Sequence, residues 1–196
     1  MAHLPIADEA ALAAVQDELA LAAAVMGFEA NSLKIMAHRP EILRGFLALS
    51  APILGPDAAL DPGLRQMIAH IASAAAGCAY CQAHTAHGAA HRGVESEKID
   101  ALWSYETSPL FSDAERAALA LAQASASHPN QATQAHFDAL QPHFSHSEQA
   151  EIVAVIALFG FLNRWNDTLA TTLEDSPLAF AEAHLAPRGW KSDRHK

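Results

Sequence analysis

Helix signals run through nearly the whole of this chain and strand signals through almost none of it, which confines the fold to packed helices. From about Glu9 to Phe28 the residues are Ala- and Leu-rich with apolar positions at helical spacing. "NSLKIMAH" and "RPEILRGFLAL" read as two further helices, the second starting at Pro40. In "LDPGLRQMIAHIASAAAG", Asp61 is placed to cap a helix, Pro62 to occupy its first position and Gly77 to stop it. Ser112 with Glu115, and Ser145 with Glu148, each have the spacing of a capping box ahead of an apolar run. "HPNQAT" at 128–133 and "EDSPLAF" at 174–180 read as loops. The expected fold class is all-α, as one domain over residues 1–196. Its N-terminal helices span 9–50, a C-x-x-C core spans 61–125 and C-terminal helices span 131–185.

Composition narrows the function classes. The chain has 196 residues, 51% of them hydrophobic, so it can bury a full core. Lys and Arg total 12 against 22 Asp and Glu, and the net charge of −10 repels nucleic acid and anionic membrane surfaces. No apolar run reaches the roughly 18 residues of a membrane span, and "MAHLPIADEAALAAVQDE" lacks the basic start of a signal peptide. A cytoplasmic location is expected. In a reducing compartment the two cysteines suit reversible thiol chemistry or a metal better than a permanent crosslink.

Those two cysteines are Cys78 and Cys81, in "GCAYCQAHTAHGAAH" at 77–91. A helix ending at Gly77 puts Cys78 near the start of the next, where the dipole and free N–H groups favour a thiolate. Cys81 lies one turn on and His84 continues the stripe, so Cys81 and His84 are expected to meet. An imidazole beside a thiol can take its proton, and a second thiol one turn away can resolve an oxidised sulfur into a disulfide. Two other readings compete. The cysteines can be small core hydrophobes, and they can be metal ligands. A closed structural zinc site needs four ligands, whereas Cys78, Cys81 and His84 supply at most three, so no metal is expected. Tyr80 is expected to pack over the pair or to donate its hydroxyl to it.

The stretch "RQMIAHIASAAAGCAYCQAHTAHGAAHRGVESEKIDAL" resembles the core of the carboxymuconolactone decarboxylase family, in particular its alkylhydroperoxidase D-like, peroxidase-related branch. "NSLKIMAHRPEILRGFLA" looks like that family's lead-in helices and "FGFLNRWNDTLATTLE" like its closing helix, so the resemblance covers most of residues 30–175. It implies an alkylhydroperoxidase D-like helical bundle, homo-oligomers, and reduction of small hydroperoxides through a disulfide cycle in which the second cysteine, Cys81, attacks. It also implies an external thiol reductant, protein or small molecule, in place of a bound cofactor. The family pattern has a glutamate twelve residues before the first cysteine, where this chain has Gln66. It has a histidine four residues after the second, where this chain has Thr85, with His84 one residue early. His70, one turn beyond Gln66, and Glu115 are the candidate substitutes for the relay.

The polar run "NRWND" at 163–167 interrupts an apolar helix and needs partners, either in a hydrogen-bond network or lining the site. Trp103, Tyr105 and Phe111 are expected to cover the core. Three function classes remain. The first is a thiol-dependent peroxidase cycling Cys78 and Cys81. The second is a carboxymuconolactone-decarboxylase-like lyase that leaves the thiols idle. The third is a non-catalytic helical oligomer that senses redox state.

Overall fold

The computed structural model describes residues 2–196, and among them every regular element is helical, as the sequence predicts. The N-terminal part holds α1 (Glu9–Ala13), α2 (Gln16–Met26), α3 (Asn31–Met36) and α4 (Pro40–Leu54). The centre holds α5 (Pro62–Ala76), α6 (Ala79–His91), α7 (Ser96–Asp100) and α8 (Asp113–Ala126). The rest holds α9 (Gln134–Leu140), α10 (His146–Leu169) and α11 (Asp175–His184). None of these helices is long and apolar enough to cross a membrane.

The caps fall where the sequence placed them. The Asp61 carboxylate accepts from the Leu64 N–H at 2.9 Å, and Pro62 opens α5 with no donor to waste. Both capping boxes form, Ser112 with Glu115 on α8 and Ser145 with Glu148 on α10.

Two local readings need correction. The expected helix from Glu9 to Phe28 is split, because Val15 adopts φ −134° and sinks its fully buried side chain into the N-terminal core. The expected loop at 174–180 is mostly the helix α11. Its Pro177 lies in the first turn, where no intrahelical N–H is required, so the proline does not forbid it.

The central helix α5 packs on α6, α8 and α10. Met67, Ile68 and Ile71 from α5 meet Leu119 and Leu121 from α8 and Ile152 and Val155 from α10. Fully burying each of these large side chains is worth about 1.5–3 kcal/mol. A second cluster joins Val15, Leu33, Met36 and Leu43, and Phe46 and Leu162 pack against both. Tyr105 and Phe111 are buried as expected, whereas Trp103 is 58% exposed.

Candidate active site

The site grows out of the α5–α6 junction. Gly77 ends α5 at φ +79°, a conformation that disfavours side chains with a Cβ, and Cys78 follows in extended geometry as the N-cap of α6. Its sulfur accepts the Cys81 N–H at 3.4 Å, taking the place of an oxygen cap. Both thiols are free and buried. Burial, followed by the hydrogen bond to Cys78, pushes the Cys81 thiol well above the ordinary cysteine range. Asn166 of α10 places its Nδ2 3.5 Å from the Cys81 sulfur, and its Oδ1 has no hydrogen-bond partner.

His84 does not turn to Cys81. Its Nε2 lies 2.6 Å from Glu174, and its ring stacks on Tyr80 with centroids 4.1 Å apart. The register explains the difference. A histidine one residue early is rotated by about 100° around α6. Thr85 takes the other direction, donating its buried hydroxyl to the Cys81 carbonyl at 2.7 Å. Glu174 also receives the Tyr80 hydroxyl at 2.8 Å and the backbone N–H of Asn31. Burial opposes its charge, but the bond to His84 and the charge on that ring hold the Glu174 carboxyl below the usual glutamate range. Burial and the adjacent Glu174 charge push the Tyr80 hydroxyl up, so it stays a donor.

The three remaining candidates stand apart from the sulfurs. Gln66 packs under Gly88, where a Cβ would come within 2.7 Å of its Oε1. His70 contacts Gln82 O and Thr85 Oγ1, both at 3.2 Å, and burial pulls its pKa down to about 4. Glu115 serves its capping box and an ion pair with Lys98 at 2.6 Å. The carboxylate that His84 meets is Glu174, ninety residues downstream of it.

Residues beyond α11 close the other side of the thiol pair. His195 is 1% exposed and bonds Thr171 O at 2.8 Å and Asp167 Oδ1 at 3.1 Å. The Trp190 indole N–H donates to Ala79 O at 3.2 Å, fixing this segment over the start of α6. A cavity of about 490 Å³ is lined by Gly77, Ala79, Asp167, Asp193, Arg194 and His195. Donor atoms of Cys78, Asp167 and His195 lie within 4.8 Å of one another. The ring nitrogens of His195 are engaged with Thr171 O and Asp167 Oδ1. Sequence reasoning missed Glu174, read as part of a loop, and His195. Asn166 and Asp167 were within reach of it through the polar "NRWND" run, which both hydrogen-bonds and lines the site.

This arrangement has known relatives. A structure of a cysteine-to-alanine variant of the debrominase Bmp8 in complex with 2,3,4-tribromopyrrole superimposes with a TM-score of 0.84 at 31% identity, covering 92% of this chain and 96% of that one. A peroxidase-related protein from Ralstonia eutropha JMP134, described as an alkylhydroperoxidase AhpD core, matches with a TM-score of 0.79 at 26% identity, covering 92% and 95%. The Escherichia coli (strain K12) protein YnjA is 32% identical over 110 residues, which are 56% of this chain and 60% of YnjA's length. Residues 40–124 match the model of the carboxymuconolactone decarboxylase family. With its helices, its C-x-x-C junction and these relatives in agreement, the chain belongs to the carboxymuconolactone decarboxylase family, among its alkylhydroperoxidase-like members.

Proposed function

We propose that this chain is a dithiol oxidoreductase that passes two electrons from Cys78 and Cys81 to a small hydroperoxide. The observation that carries this reading is the pairing of two buried free thiols one turn apart, with the Cys78 sulfur already at the Cys81 N–H. A thiolate attacks the O–O bond, the alkoxide leaves and takes a proton, and a sulfenic acid remains. The second thiol attacks that sulfur, water leaves, and the disulfide closes until an external thiol reopens it. The family resemblance implied attack by Cys81, with His84 expected beside it. With His84 committed to Glu174 and the Cys81 thiol pushed up by burial, we assign attack to Cys78 and resolution to Cys81.

The test adds one equivalent of an organic hydroperoxide to the reduced protein and to single serine variants. The intact protein is expected to lose the mass of two hydrogens. Cys81→Ser is expected to trap a sulfenic acid at Cys78, detected with a dimedone-type reagent. Free thiols that persist in the intact protein would sink the dithiol reading, and an adduct at Cys81 in Cys78→Ser would restore the original order of attack.

The full-length likeness to Bmp8 favours a second substrate, a brominated aromatic ring. Reductive loss of bromide consumes the same two electrons and closes the same disulfide. Bromide release from 2,3,4-tribromopyrrole, run beside the hydroperoxide assay, separates the two substrates.

A further inference from the structure

We propose that Cys78, His195 and Asp167 form a thiolate–imidazolium–carboxylate triad, in which the ring of His195 holds the proton given up by the Cys78 thiol. The assignment deepens the dithiol reading and rests on it.

The hydrogen bonds of His195 carry the argument. Thr171 O is a carbonyl and accepts only, so the Nδ1 that lies 2.8 Å away must bear a hydrogen. An ionised Asp167 also accepts only, so the Nε2 3.1 Å from its Oδ1 must bear one too. With Asp167 ionised, the imidazolium is the form that makes both bonds together. A buried cation needs a nearby anion, and besides Asp167 the Cys78 sulfur is within 4.8 Å of this group. That sulfur is already prepared for charge. It accepts the Cys81 N–H and sits at the positive end of the thirteen-residue α6.

Other charged and titratable groups face the same ring. Tyr80 of α6 lies 5.8 Å from it between centroids, and its raised hydroxyl stays neutral. Asp193 and Arg194 line the adjoining cavity, and Arg194 is tied to Asp167 O at 3.3 Å. Cys81 is the neighbouring thiol, and burial, followed by its hydrogen bond to Cys78, pushes it up and keeps it protonated. The triad thus divides the labour between the two faces of α6. His195 and Asp167 serve Cys78 from the cavity side, while His84 and Tyr80 both bond Glu174 on the other.

The experiment reads the ultraviolet absorbance of thiolate near neutral pH, with no substrate present. Cys81→Ser, which keeps only Cys78, is expected to show the signal, and Cys78→Ser is expected to lack it. Adding His195→Gln to Cys81→Ser keeps a donor for the closing segment but not its charge, and most of the signal should be lost. Because a purely structural defect would also disturb the site, His195→Ala is measured with and without added imidazole, which is expected to restore the signal. An unchanged signal in His195→Gln would overturn the triad, and so would a signal confined to Cys81 or one equivalent of zinc in the purified protein. A protein that closes its disulfide with peroxide yet shows no thiolate loses the triad and keeps the dithiol reading. One that shows the thiolate yet never closes the disulfide keeps the triad and loses that reading.

Discussion

His70 and Glu174 are both buried and ionisable, and the fold moves each away from its ordinary value. The pKa of His70 falls from 6.5 to about 4, so between those values the unfolded chain binds the proton that the folded one refuses. Stability is therefore lost as pH falls through that window, by about 3 kcal/mol in full. Glu174 titrates below its ordinary 4.5, so it stabilises the fold above that value and the contribution is lost as pH falls through the folded value. Urea denaturation at stepped pH is expected to show both losses, and His70→Asn should flatten the upper one only. A double-mutant cycle on Glu174→Gln and His84→Gln should give a coupling of about 0.5–3 kcal/mol, since the two side chains are direct hydrogen-bond partners at 2.6 Å. Neither pairing was legible in the sequence. His84 was placed by helical spacing alone, and its partner lies 90 residues away in the chain.

At the scale of elements, the caps were legible because they are local. A serine three residues before a glutamate satisfies the orphan donors of its own helix wherever that helix packs. Ser145→Ala should cost about 1 kcal/mol by thermal melting. Gly77→Ala forces a Cβ into left-handed backbone at φ +79° and should cost about 1–2 kcal/mol. The two differ in consequence. Gly77 sets the direction in which Cys78 enters α6, so its variant should also slow closure of the disulfide, which mass measurement after a peroxide pulse would show. Ser145→Ala should leave that rate unchanged. The helix α11 was missed for the complementary reason, since a proline reads as a breaker until its position within the first turn is known.

For the whole molecule, we expect association into homo-oligomers. The helix α2 contains no buried residue, and Leu21 at 71%, Val25 at 55% and Leu49 on α4 at 56% present apolar surface. Phe161 on α10 adds another exposed ring, stacked on Phe46 at 5.7 Å. Large apolar side chains exposed on α2, α4 and α10 are the surface that a second copy of the chain would cover. Sedimentation at micromolar concentration should show a multiple of the chain mass, and Leu21→Lys together with Leu49→Lys should shift it toward the monomer. A wild-type monomer would count against this expectation.

The sequence by itself determined what neighbours along the chain can decide. Helical periodicity made the class all-α, Asp61 and Gly77 bounded α5, and the C-x-x-C spacing put two thiols on one turn at the start of α6. Tertiary structure decided which groups surround those thiols. Glu174 reaches His84 across 90 residues, Asn166 reaches Cys81 across 85, and His195 bonds Asp167 across 28. A buried charge or thiol takes its properties from the atoms within a few ångströms of it, and only the packing of α6 against α10, α11 and the segment beyond brings those atoms together.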